Sequence, residues 1–351
     1  MTDKQLLFTV GRIFSPLYSL AMILREYLYS KGVIKSTKLE VPVISVGNLT
    51  MGGSGKTPLV AHIARMLLQN GRRPAIISRG YGGAAREPVN IVSDGKNLLL
   101  DARSAGDEPR LLAESLPGVP VLTGRVRKLP ARRAIDMGAD VLILDDGFQH
   151  LALKRDLDLV LFHADTLAGN SRVFPGGDLR EPVKALHRCH AFIITYVCPR
   201  NRERADRFAT LLGERFPGKP IFFTSHSLEG LVHRSATGNL VPEEGPLSGK
   251  IYGFCAIAQP ESFHQTLLDL DPEMVGFESF TDHYAYREKD ISKICGRALE
   301  KGANALVVTE KDLVKLGDIA SELPLYALRS GLKVERGFSN FIGRMTGLFT
   351  D

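Results

Sequence analysis

Short apolar runs rich in β-branched residues recur along the chain, at 41–46, 75–78, 119–123, 141–144, 157–162, 192–197, 221–224, 251–256, 305–309 and 325–328. Each run is continuously apolar, not alternating, as expected of strands buried on both faces of a parallel sheet. Helical spacing fills the gaps, and strand–helix alternation over the whole length predicts an α/β protein. The first thirty residues differ. In QLLFTVGRIFSPLYSLAMILREYLYS, at 5–30, Leu6, Val10, Ile13, Leu17, Leu20, Leu24 and Leu28 recur at helical spacing and predict an amphipathic helix. Arg12 and Pro16 interrupt it, and the charge-free stretch from 13 to 24 is too short to span a bilayer. No small-residue cleavage site follows. Two settings fit such a helix: packing on the protein's own core, or lying in a membrane interface.

Candidate chemistry begins where the first strand ends. PVISVGN, at 42–48, runs into LTMGGSGKTP, and a helix follows with apolar Leu59, Val60, Ile63, Ala64, Leu67 and Leu68. The stretch Thr50, Met51, Gly52, Gly53, Ser54, Gly55, Lys56 and Thr57 is predicted to bind a nucleoside triphosphate. Glycines let backbone N–H groups approach phosphate oxygens, and the helix N-terminus adds partial positive charge. Lys56 can reach the outer phosphates, and the Thr57 hydroxyl can bind Mg²⁺. The strict pattern GxxxxGK[ST] has Gly where this chain has Thr50. A loop of this kind needs a carboxylate at the end of a nearby strand to support the metal. VLILDDGFQH, at 141–150, supplies Asp145 and Asp146, with direct contact to the ion open between them. A group accepting a hydroxyl proton would complete a phosphoryl-transfer site. The candidates are Asp107 in SAGDEPR and His283 in FTDHYAY. GDEP reads equally well as a helix start, and the Asp–His pair as a local hydrogen bond.

At 351 residues the chain is too long for one ordinary core. The Gly-, Pro- and charge-rich stretch at 163–185 suggests where it divides. The expected organisation is an N-terminal helix within 1–35, a P-loop NTPase-type parallel-sheet lobe at 36–165, a linker at 166–185, and a second, smaller Rossmann-like α/β lobe at 186–351. The net charge of +6 is concentrated in Arg72-Arg73, RVRKLPARR at 125–133 and RNRERADR at 200–207. Such clusters suit phosphorylated substrates, acidic lipid surfaces or nucleic acid. Nucleic acid is the least supported, for want of a recognition helix, zinc finger or RNP-type aromatic motif. The four cysteines form no CxxC pair, which fits a reducing compartment.

Together these motifs resemble the tetraacyldisaccharide 4′-kinases (lipid A 4′-kinases) of Gram-negative bacteria, over nearly the whole chain and in order. The resemblance rests on VPVISVGNLTMGGSGKTP, SRGYGG at 78–83, GDEP at 106–109, LDDGFQH at 144–150, PGGDLREP at 175–182, FCAIAQPESF at 254–263, FTDHYAY at 280–286 and TEKD at 309–312. It implies transfer of the γ-phosphate of ATP, with Mg²⁺, to the 4′-hydroxyl of an acylated glucosamine disaccharide 1-phosphate, giving lipid IVA. By the same resemblance Asp107 accepts the proton with His283 as its partner, and Lys56 acts on the phosphates. Asp145 and Asp146 take the metal side, Gln149 and His150 complete their motif, and Arg180 and Glu181 lie near the nucleotide cleft. Arg127 falls where relatives contact phosphate, although TGRVRKLPA departs from the usual aspartate–arginine pairing. A lipid substrate places the chain at the cytoplasmic face of the inner membrane, as a monomer, with the first helix lying on the surface.

Three rivals stand beside this reading. One is a GTP-dependent switch, since TEKD superficially matches a guanine-reading NKxD with Thr309 in place of Asn. Another is a soluble small-molecule kinase whose first helix is core. The third is a P-loop protein without transfer activity.

Overall fold

The computed structural model describes residues 8–235, 239–243, 249–257, 260–270, 273–282, 284–317 and 319–348. Its centre is three parallel strands: β1 (Val43–Asn48) lies between β5 (Val141–Asp145) and β6 (Leu157–His163), with Val46 opposite Asp145 on one side and Leu159 on the other. All six residues of β1 are buried, so the strand is covered on both faces, as its unbroken apolar run requires. Beyond β5 come β2 (Pro74–Ser78), β4 (Val121–Thr123) and the antiparallel edge strand β3 (Asn90–Ser93). Beyond β6 come β7 (Ala191–Thr195) and β8 (Ile221–Arg234), to which β9 (Leu240–Pro242) is added. β10 (Ile251–Cys255), β11 (Met274–Ser279), β12 (Ala305–Thr309) and β13 (Leu325–Val334) complete the sheet. Among the described residues it has 13 strands, with the order β11-β10-β12-β13-β8-β7-β6-β1-β5-β2-β4-β3.

The sheet is mostly parallel, as expected, but β8 is not the four-residue strand that the apolar run at 221–224 predicts. Its first residues pair with β7 in parallel, and from Thr224 to Val232 it pairs with β13 antiparallel. The later part, SHSLEGLVHR, is largely half-buried or exposed, so it carries no continuous apolar run to be read. The stretch expected to divide the chain, 166–185, connects two hydrogen-bonded neighbours, β6 and β7. The sheet carrying β1 therefore continues through β7 and into β8, past the expected boundary.

Helix α1 (Ser15–Ser30) has no buried residue; Ile13 just before it and Leu17, Leu20 and Leu24 along it are exposed. α2 (Lys56–Gln69) follows β1 and buries Leu59, Val60, Ile63, Ala64 and Leu67 against the sheet, while Leu68, the sixth position its spacing predicts, is half-buried. After the short α3 (Ala102–Ala105) comes α4 (Asp107–Ser115). The remaining helices are α5 (Lys128–Asp136), α6 (Arg202–Arg215), α7 (Pro260–Leu270), α8 (Glu288–Glu300), α9 (Glu310–Leu316) and α10 (Phe338–Thr346). α4 is tied to the far half of the sheet by one buried carboxylate. Glu114 accepts from Arg110 at 2.6 Å within the helix and from Arg234 on β8 at 2.8 Å.

Candidate functional site

The loop between β1 and α2 has the backbone its glycines predict. Gly52 and Gly55 take φ of +110° and +77°, where a side chain is strained. A Cβ at Gly55 would also meet the Tyr196 ring at 2.9 Å, so glycine is needed there twice over. Around Gly53 the space is open. Ser54 is fastened from outside, its carbonyl accepting from the buried Thr195 hydroxyl at 2.9 Å. Lys56 begins α2, and its ammonium donates to Asn48 Oδ1 at 3.2 Å and lies 3.5 Å from Asp146 Oδ1. Asn48 also donates to the Gly52 carbonyl at 3.4 Å, and its own carbonyl accepts from Gln149 Nε2 at 3.0 Å. Asn48 is thus a site residue that sequence reasoning passed over. Its one signal in the sequence is a polar residue ending an apolar strand four positions before the first loop glycine.

Asp145 ends β5 and Asp146 follows it, both beside this loop but in different environments. Asp145 is 2% exposed. Ser78 donates to one of its oxygens at 3.3 Å, while the other is buried without a partner. Burial, the nearby charge of Glu108 and that of Asp146 push its carboxyl up to about 7, against the pull of Lys56 and Arg127. Asp146 sits in the left-handed region, φ +52°, which turns its side chain toward the cations. Burial alone would raise its pKa, but Lys56 and Arg180 outweigh that and hold it below the usual carboxylate value. Arg180 reaches both Asp146 oxygens, and the buried Arg127 donates to the Asp146 carbonyl at 2.8 Å. His150 is half-buried and crowded by cations. Burial first, then Arg127, Arg155, Arg25 and Arg79, lower it to about 4.

The segment expected as a linker forms the outer wall of the loop. Met51 N donates to the Asp178 carbonyl at 2.7 Å, and Arg180 N to the Leu49 carbonyl at 2.8 Å. The Arg180 side chain faces Asp146 on the Lys56 side of the wall. Glu181 does not. Its carboxylate is held by Arg188 at 2.6 Å and faces Arg25 of α1 at 3.9 Å, in a buried ion cluster on the helix side. Arg180 and Glu181 lie at a bend, and their side chains go to separate partners, Asp146 and the Arg188–Arg25 pair.

Asp107 is the first residue of α4, and Gly106 before it takes φ +92° and passes so close to the Tyr81 carbonyl that a Cβ would lie 2.5 Å from it. The SRGYGG turn thereby packs directly on the start of this helix. The charge of Glu108, the next residue of this helix, acts on Asp145. His283 lies outside the described residues. TEKD caps a helix: Thr309 Oγ1 accepts from the Asp312 amide at 3.1 Å, and the buried Asp312 takes the Ala256 amide, Tyr286 and Lys315 as partners. Asp312 is fully committed, which removes the guanine-reading alternative.

A parallel sheet whose central strand runs through a glycine loop into a helix opened by lysine, beside a carboxylate pair on the next strand, defines a P-loop nucleotide-binding protein. Comparison with known proteins narrows this to one family. The chain belongs to the tetraacyldisaccharide-1-P 4′-kinases, whose family model matches residues 7–346. It is 47% identical over 343 residues to a tetraacyldisaccharide 4′-kinase of Desulfotalea psychrophila, covering 97% of each chain. It is 41% identical over 348 residues to that of Syntrophus aciditrophicus, covering 95% of this chain and 91% of the relative. The fold is similar to a crystal structure of LpxK from Aquifex aeolicus in complex with ATP, with TM-score 0.77, 34% identity and coverage of 95% of this chain and 97% of that one.

Proposed function

We propose that this chain is a tetraacyldisaccharide 4′-kinase that moves the γ-phosphate of ATP to the 4′-hydroxyl of an acylated glucosamine disaccharide 1-phosphate, giving lipid IVA. The observation that carries the reading is the position of Lys56, held between Asn48 and Asp146 at the mouth of a glycine loop whose backbone is set for phosphate. Lys56 and the amides of 52–57 bind and orient the triphosphate and counter the charge that develops in transfer. Arg180 holds Asp146 in place beneath them. Asp107, at the start of α4, accepts the sugar hydroxyl proton, with His283 as its partner. The partnerless buried oxygen of Asp145 is a donor suited to a hard cation, and Asp145, Asp146 and Thr57 would hold Mg²⁺. An ion held by these residues would supply positive charge to neutralise the triphosphate during transfer.

The acceptor is a lipid, and α1 suits it. Its outward side carries Leu17, Leu20 and Leu24, continued by Ile13 and Phe14 just before it, all more than half exposed. No helix among the described residues is long and apolar enough to cross a membrane. An apolar face of this kind lies along the interface, at the cytoplasmic side of the inner membrane in this reading, with a single chain as the working unit. The deciding experiment incubates the purified protein with γ-labelled ATP, Mg²⁺ and the acylated disaccharide 1-phosphate. Label is expected in the lipid with the native chain and not with Lys56→Ala. No labelled lipid from the folded native chain overturns the proposal.

A further inference from the structure

The inward side of α1 meets the nucleotide site at two points. Tyr18 donates its hydroxyl to the Arg180 carbonyl at 3.2 Å, and Arg25 donates to the Gln149 carbonyl at 3.0 Å. Arg180 lies in the outer wall and Gln149 just beyond the carboxylate pair, and the side chain of each contacts a residue that faces Lys56. The Arg180 guanidinium lies on Asp146, which faces Lys56. The Gln149 amide holds the main chain of Asn48, whose side chain accepts from Lys56. Both routes from the helix end on the same ammonium.

The helix is seated firmly enough to hold these contacts. Ser15 Oγ donates to the Val173 carbonyl and accepts from the Gly176 amide, both at 2.8 Å. Tyr18 packs edge-on to Phe174, with ring centroids 5.7 Å apart. Gly11 and Gly176 are required by this seating, since a Cβ on either would lie within 3.0 Å of the opposite segment. At the other end Arg188 bridges Glu26 of the helix, at 3.1 Å, to Glu181 of the wall, at 2.6 Å. The Arg180 main chain is therefore fixed from both sides. Its amide is on the phosphate loop, through Leu49, and its carbonyl is on α1, through Tyr18.

We infer that Tyr18 and Arg25 are positioning residues for the triphosphate, acting through Arg180 and Gln149, so that the seated first helix sets the affinity of the phosphate loop for ATP. The inference rests on the nucleotide site proposed above. Neither residue touches the nucleotide, and each acts on the backbone that carries a residue lining the loop. The outward apolar face of the same helix takes no part in these contacts, so lipid binding and ATP positioning are served by different side chains of one element.

The test is ATP affinity, measured directly by titration and again as KM at saturating acceptor in detergent. Tyr18→Phe and Arg25→Ala are each expected to weaken ATP about two- to tenfold, the range one hydrogen bond allows. Turnover at saturating ATP and the thermal midpoint stay near native. Arg25→Lys recovers much of the loss, and Tyr18→Phe adds little in an Arg180→Ala background, because its effect passes through that side chain. Leu17→Ser, on the outward face, leaves ATP affinity unchanged. Native ATP affinity in both folded variants overturns the inference, and so does full additivity with Arg180→Ala. Failure of the nucleotide site itself has a different signature, namely Lys56→Ala binding ATP as tightly as the native chain.

Discussion

Arg180 spends one guanidinium nitrogen on Asp146, 2.9 Å from one carboxylate oxygen and 2.7 Å from the other. The contact fixes a carboxylate that also faces Lys56, so it sets the distance between loop cation and strand-end anion. Arg180→Ala is expected to lower kcat/KM about 10- to 100-fold by leaving that carboxylate unplaced. Arg180→Lys should recover part of this, as a point charge without a planar fork. Steady-state kinetics on both variants check it, and near-native values for Arg180→Ala would contradict the role.

Asp107→Asn keeps the shape and polarity of the first residue of α4 but cannot take a proton. Turnover is expected to fall about 10²- to 10⁴-fold, with ATP affinity retained. A variant that loses ATP binding in proportion to turnover would make Asp107 a structural residue of the helix start.

Glu114 is fully buried between Arg110 and Arg234. Glu114→Ala leaves the two cations facing an empty space and is expected to cost about 3–5 kcal/mol, read from urea unfolding. A loss under about 1 kcal/mol would show that the pair of arginines is solvated in the folded chain.

The pH dependence has a sign fixed by His150. Its folded pKa is depressed to about 4 from the ordinary 6.5, by burial and then by surrounding arginines. The unfolded chain takes up this proton near 6.5, the folded chain only near 4. The stabilisation is therefore complete above 6.5 and is lost as pH falls to 4. Thermal midpoints measured across that window should fall less steeply for His150→Gln than for the native chain. Equal slopes would assign the acid sensitivity to other groups.

What the sequence revealed follows from how each signal is written in it. The glycine loop, Lys56 and the Asp145–Asp146 pair are local patterns at the ends of continuous apolar strands, and the structure brings them side by side. Asn48 did not, because a single polar residue at a strand end looks like the first residue of a loop until Lys56 and Gln149 fold onto it. The roles of Arg180 and Glu181 could not be separated in the letters LREP, since which side each faces depends on how 178–181 lies against 49–51. β11 was missed because its residues are half-buried at the sheet edge, with no unbroken apolar run. The boundary near 166–185 was drawn on Gly and Pro content, which marks a loop but not whether the chain returns to the same sheet.

The course of β8 has a mechanical consequence. One unbroken strand of 14 residues carries β7 on its early part and β13 on its later part. β13 returns beside it and leads to α10, whose Phe338, Phe341 and Ile342 share a core with Ile44 and Val46 of β1, so a two-stranded ribbon joins the halves. Turning of the β10–β12 portion against the strand that bears the phosphate loop twists both strands together. The ribbon acts as a torsion spring, and it ties how far the molecule can open to how much twist the pair tolerates.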